Sequence, residues 1–145
     1  MARNRVSTII DATPSRVWSS IDDVGSHVRW MEDARAIRFR GAKRQGVGTT
    51  FECDTKVGPF GLTDIMEITA WEPRQKMGVR HVGLVTGEGA FTQRPAKGNR
   101  TKFTWRERLV FPWWLGGPIG AAVGSEVLRL VWRRNLRNLK GIVES

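Results

Sequence analysis

The sequence has no tyrosine, one cysteine (Cys53) and two histidines (His27 and His81) among its 145 residues. A lone cysteine excludes an internal disulfide framework and fits a reducing, cytoplasmic compartment. Two separated histidines and one cysteine provide no ligand pair at zinc spacing, so no metal is expected. No cofactor motif is present either: Gly46-Val47-Gly48 precedes a strand instead of opening a helix, so it is no phosphate loop. Neither a serine elbow nor a Cys/His pair supports nucleophilic catalysis. Long apolar runs are missing too. The longest, Leu109 to Ser125, ends at Glu126 and carries Pro112, Pro118 and four glycines, which excludes a membrane-spanning helix. The first residues, MARNRVSTIIDA, hold no apolar core of useful length, so no signal peptide is expected.

Acidic residues are scarce. Asp plus Glu number 14 against 24 Lys plus Arg, for a net charge of +10. Such a field attracts nucleic acid or anionic lipid, and it also serves plain solubility. The composition, 40% apolar and 26% charged, is that of a folded globular chain. At this length one domain spanning residues 1–145 is expected.

Residues Arg3 to Ala12 suit a first strand. Thr13-Pro14 then starts a short helix, a capping hydroxyl before proline at the first helical position, with Val17, Trp18 and Ile21 at helical spacing. Gly25 breaks it, and Ser26 opens a second short helix through His27 to Trp30. From Ala34 to Leu109 the chain reads as strands in series. Phe51, Cys53, Thr55 and Val57 alternate with polar neighbours, and Gly58-Pro59-Phe60-Gly61 reads as a turn. Leu62 to Trp71 follows, then Met77 to Val85 and Glu88 to Gln93 around a Thr86-Gly87 turn, then Thr101 to Val110. Short connections predict an antiparallel meander. Val127, Leu128, Val131, Trp132, Leu136, Leu139, Ile142 and Val143 fall on one side of a closing helix, opposite Arg129, Arg133, Arg134 and Arg137. The sheet is the one element large enough to cover that stripe. The expected class is α+β: a curved antiparallel sheet of about seven strands, two short helices after the first strand, and a long C-terminal helix.

This order, together with Ala12-Thr13-Pro14-Ser15-Arg16-Val17-Trp18, Trp30, Gly46-Val47-Gly48-Thr49, Thr69-Ala70-Trp71-Glu72-Pro73 and Thr101-Lys102-Phe103-Thr104-Trp105, resembles the START-like (SRPBCC) superfamily. Within it, the chain is similar to the polyketide cyclase/dehydrase and lipid-transport group of bacterial helix-grip proteins. The run Trp105 to Pro112 looks like an actinobacterial branch. The resemblance implies a cavity between the concave sheet and the C-terminal helix. It leaves function open, because this fold hosts carriers, cyclases, hydrolases and toxins.

Candidate site residues follow from which side chains face inward. Trp18, Trp30, Phe51, Phe91, Phe103, Trp105 and Trp132 occupy apolar positions suited to a ligand chamber. Cys53, Met66, Ile68 and Val131 share their inward parity or stripe, and Trp113 lies in Phe111-Pro112-Trp113-Trp114-Leu115-Gly116-Gly117-Pro118, which reads as a hinged lid or a point of transient membrane contact. Polar residues on these faces carry more information, because burial costs energy unless they are paired. Asn135 sits within the helix stripe, Glu107 shares parity with Phe103 and Trp105, Asp64 with Met66, and His81 with Met77 and Val79. The leading expectation is a non-catalytic binder or transporter of a hydrophobic small molecule or lipid, with Glu107 and Asn135 orienting its polar end. The alternatives are a cyclase/dehydratase-like enzyme using Glu107 with His81 or Asp64, and an RNA- or ribosome-associated toxin-like protein. The last would use Arg35, Arg38, Arg40, Lys43, Arg44 and the helix arginines.

Overall fold

The computed structural model describes residues 2–112 and 117–145. Strand β1 (Ala2–Ile10) leads into helix α1 (Pro14–Ile21) and a 3-10 helix (Val24–Arg29). Six strands follow: β2 (Ala34–Arg40), β3 (Thr50–Val57), β4 (Phe60–Glu72), β5 (Lys76–Val82), β6 (Thr86–Ala96) and β7 (Arg100–Val110). Helix α2 (Gly117–Glu144) closes the chain. The seven strands form one antiparallel sheet in the order β1-β7-β6-β5-β4-β3-β2. β1 crosses to pair with β7, so the first and last strands lie side by side at one edge.

Local chemistry starts the first helix where the sequence indicates. Thr13 Oγ1 accepts from the Arg16 N–H (3.3 Å), Pro14 occupies the first turn, and Val17, Trp18 and Ile21 are buried. The second short helix begins at Val24 and not at Ser26, because Asp23 supplies the cap by accepting from the Gly25 N–H. Two turn assignments also shift. Val57 pairs with Phe60, so the β3–β4 turn is Gly58-Pro59 alone and Phe60 already belongs to β4. Val82 pairs with Thr86, which makes Gly83-Leu84-Val85 the β5–β6 loop and places Gly87 inside β6. Gly87 has φ +127, and a Cβ there would stand 1.9 Å from the Arg108 carbonyl oxygen. That glycine marks a close strand approach and not a hairpin turn.

Helix α2 packs against β1. Among its described residues, Trp132, Leu136, Leu139 and Val143 are the buried apolar ones, spaced four, three and four apart. Val127 and Ile142, expected in the same stripe, are exposed, so the covered stripe is narrower than the wheel suggests. Polar anchors run the length of the contact. Asn4 Nδ2 donates to the Ser125 carbonyl (2.8 Å), Lys140 Nζ to the Ile9 carbonyl (2.8 Å), and the Asp11 N–H to Glu144 Oε2 (2.7 Å). On the helix's other flank, fully buried Asn135 accepts from the Glu32 N–H (2.9 Å) and donates to Asp33 Oδ1 (2.7 Å).

Asn135 is fully buried and serves two partners, so truncating it leaves both short of a hydrogen bond. Asn135→Ala should therefore cost about 3 kcal/mol. The check is the urea midpoint, which should fall with an unchanged slope; a midpoint within error of the parent would show that Asn135 is no latch.

Candidate functional site

Residues directly opposite in neighbouring strands share a face, so the register defines the inner surface of the sheet. Phe51 faces Met66 and Cys53 faces Asp64 across β3 and β4. Met66 faces His81 across β4 and β5. Across β5 and β6, His81 faces Gly87 and Val79 faces Gly89. Finally Gly89 faces Glu107, and Phe91 faces Trp105, across β6 and β7. Asp64, His81 and Glu107 thus stand on one face, on three strands, with glycines between the last two.

Those glycines matter sterically. A Cβ at Gly89 would lie 2.3 Å from Glu107 Cγ and 2.9 Å from the Arg106 carbonyl oxygen. The Glu107 side chain can cross β6 toward His81 because position 89 carries none. His81 Nδ1–H donates to Asp64 Oδ2 at 2.6 Å, and its Nε2 stands 3.5 Å from Glu107 Oε2. The second distance allows charge attraction but is too long for a well-made hydrogen bond. Among the described residues, buried His81 Nε2 and Asp64 Oδ1 have no hydrogen-bond partner. The three side chains are only 6%, 10% and 9% exposed, for His81, Asp64 and Glu107 in turn. Burial alone would lower the His81 pKa. The bond to Asp64 and the nearby Glu107 carboxylate outweigh it and push the value up to about 10.

This cluster lies in the wall of a cavity of about 980 Å³. Phe91, Trp105 and Trp132 form one end, with Trp105 stacked on Trp132 at 4.7 Å between ring centroids. At the other end Phe60, Leu84 and Val123 line the cavity while remaining exposed, which makes them its rim. Phe51, Cys53, Met66 and Val79 make the floor, and α2 contributes Gly120, Gly124 and Leu128. Burial pushes the Cys53 thiol up to about 11, so it acts as a small apolar side chain.

Of the residues singled out from sequence, Phe51, Cys53, Met66, Phe91, Trp105, Trp132, Asp64, His81 and Glu107 meet around this space. Others pack beside it. Trp18 sits edge-on to Trp71 (5.3 Å), Trp30 against Phe91 (5.6 Å) and Phe103 against Phe91 (5.4 Å); Ile68 is fully buried in the core. Val131 packs on the core's margin. Asn135, expected to orient a ligand, is turned to Glu32 and Asp33 instead. Trp113 lies outside the described residues, as do Trp114, Leu115 and Gly116 of the expected lid, although Phe111 lines the cavity.

Sequence reasoning missed Asp33 and His27, both lining residues. Asp33 follows the 3-10 helix in an irregular segment where no periodicity gives a direction. Burial raises its pKa, against the opposing bond from Asn135. His27 Nε2–H donates to the Ile21 carbonyl (2.7 Å), and burial lowers its pKa to about 4, so the ring is neutral. The legible signal that went unread was Gly87 and Gly89 at spacing two, an inner strand face stripped of side chains beside a glutamate. Part of the basic set is paired on the sheet: Arg38 holds Asp54 (2.7 Å), Arg40 holds Glu52 (2.9 Å), and Arg44 lies 4.7 Å over the Phe39 ring. Among the described residues no group of three His, Cys, Asp or Glu is arranged to hold a metal ion, and no helix is long and apolar enough to cross a membrane.

A curved sheet gripping a long helix around an apolar chamber is a START-like fold, and solved structures agree. A protein of Thermus thermophilus superposes with a TM-score of 0.81 at 15% identity, covering 97% of this chain and 96% of its own. A START superfamily protein from Mycobacterium smegmatis gives 0.80 at 11% identity, covering 99% and 98%. The Zhui aromatase/cyclase from Streptomyces sp. R1128 gives 0.75 at 16% identity, covering 98% and 93%. At these identities the likeness is one of fold. The family model described as polyketide cyclase / dehydrase and lipid transport matches residues 1–144, and the chain belongs to that family. No curated protein matches it by sequence.

Two outcomes follow from the cluster. Because the folded His81 pKa is raised, its stabilising contribution is complete below the ordinary value of 6.5 and disappears as pH climbs through about 10. Subtracting the urea-midpoint profile of His81→Gln from that of the parent should leave a decline across this window; a flat difference would refute the assignment. Gly89→Ala should drive the Glu107 carboxyl off His81 and lower the His81 pKa, read by histidine NMR titration. An unchanged titration would mean that Glu107 does not need the gap.

Proposed function

We propose that this protein binds, without transforming, a hydrophobic small molecule or lipid, held between the sheet and α2. The observation that carries this reading is the cavity itself. About 980 Å³ bounded mainly by apolar and aromatic side chains is at the upper end of the range for small-molecule pockets. Burial of a ligand's apolar surface there is favourable at about 25 cal/mol per Å² before ordering costs. The polar cluster sits where it can orient one end of the bound molecule, and the apolar rim of Phe60, Leu84 and Val123 gives it a greasy way in.

A second reading, cyclase- or dehydratase-like chemistry, draws support from the convergence of Asp64, His81 and Glu107 on one chamber. The protonation state of His81 weighs against it. An imidazolium held to about 10 has no free lone pair near neutral pH, and as an acid it is poorly matched to that pH. Orientation of a ligand uses such a group as it stands; base catalysis does not. Under the enzymatic reading Glu107→Gln would abolish turnover and leave uptake of the molecule intact.

Organic extraction and mass spectrometry of the purified protein should recover a bound apolar molecule, and the neutral dye Nile red should bind the emptied protein with a rise in fluorescence. Val79 faces Gly89 and Ile68 in mid-floor, so Val79→Phe should fill the chamber and reduce Nile red binding by at least about tenfold. Full binding by a folded Val79→Phe protein would place the dye elsewhere and sink the proposal.

A further inference from the structure

The outside of this protein is strongly cationic and its cavity is not. Among the described residues, none of the 24 lysines and arginines lines the chamber, whereas three carboxyl groups do: Asp33, Asp64 and Glu107. One imidazolium, His81, sits between the last two. With both of those carboxylates ionised the cluster carries one surplus negative charge, buried in apolar surroundings where it is weakly screened. A second anion brought there would meet no uncommitted cation, since the single positive charge is already flanked by two carboxylates. The cluster also shows what it lacks. Among the described residues, Asp64 Oδ1 accepts no hydrogen bond, and His81 Nε2 donates none that is well made. One orphan is an acceptor and the other a donor, and each costs free energy until a partner arrives.

We propose that the cavity takes apolar molecules whose polar end is an uncharged hydroxyl, and that Asp64 and Glu107 reject ligands ending in a carboxylate. A hydroxyl both donates and accepts, so it can satisfy either orphan without adding charge. A carboxylate only accepts, leaves Asp64 Oδ1 unpaired, and places like charges together in a low dielectric. This selectivity rests on the binding reading above and sharpens it to a ligand class: long-chain, alicyclic or aromatic alcohols in preference to free fatty acids. The same positive protein would then attract fatty acids to its surface and exclude them from its interior.

The test is displacement of Nile red at neutral pH by 1-decanol and by decanoate, which share a chain length and differ at the polar end. Decanol should displace the dye at a concentration at least about tenfold lower. Part of that ratio reflects the dehydration of a carboxylate at any apolar site, so the variants decide. Asp64→Asn and Glu107→Gln each remove one negative charge and should shrink the ratio about fivefold or more, mainly through better binding of decanoate. If one substitution prevents folding, the other gives the result. Decanoate matching decanol in the parent, or a ratio unchanged in the folded variants, would overturn the selectivity and leave the cavity as a binding site. Failure of both compounds to displace a dye that Val79→Phe does exclude would overturn it as well. Dye binding untouched by Val79→Phe would instead remove the binding reading beneath it.

Discussion

The grip of α2 on β1 is what holds the interior open. Trp132, Leu136, Leu139 and Val143 bury their side chains, and Asn4, Lys140 and Glu144 tie the helix to the edge strand and the turn after it. Because that contact runs along one edge of a seven-stranded curved sheet, the helix cannot also fill the concavity over β3 to β6. A close-packed interior would need side chains to occupy that space. At Cys53, Val79, Gly87 and Gly89 the inner face offers only small residues, and the larger Phe51, Met66 and Phe91 line the space without filling it. Asn135 completes the arrangement from the other side by clamping the Glu32–Asp33 segment to the helix. Cavity and helix grip are two sides of one geometric fact.

Placing charge in that space is costly, and the fold limits the cost by pairing. Asp64 comes from β4, His81 from β5 and Glu107 from β7, and Glu107 reaches over Gly89 to join the other two. The pairing is incomplete, with one carboxylate oxygen and one ring nitrogen unmatched among the described residues. A purely structural ion pair gains most from full satisfaction, whereas a site that receives a ligand needs unspent hydrogen-bonding capacity. The buried imidazolium also limits chemistry. Held protonated by its neighbours, it suits orientation of a polar group better than abstraction of a proton.

Much of this is legible in the sequence. Strand parity aligned Asp64 with Met66, His81 with Val79 and Glu107 with Trp105, and the register confirms that all of them face the concave side. Helical spacing marked Trp132, Leu136 and Leu139, which are buried. The errors are physically informative. Thr86-Gly87 looked like a turn because glycine signals permissive backbone, but permissiveness also serves a close approach between strands. Asn135 looked like a ligand contact because it lies in an apolar stripe, yet its partners are a backbone N–H and a carboxylate from a segment more than 100 residues earlier. Asp33 was invisible because irregular backbone has no period from which to read direction.

The sequence by itself determined the order of elements, the inward face of β3 to β7 and the absence of lysine or arginine among the inward positions of those strands. These are local properties, set by periods of two and 3.6 and by turn chemistry. Only the tertiary structure decided that three inward polar residues from separate strands meet, that Asn135 does not join them, and that a space of about 980 Å³ remains beside them. Those outcomes depend on sheet curvature, on the edge to which α2 docks and on the gap left at Gly89. Each is a relation between segments far apart in the chain, which no local pattern encodes.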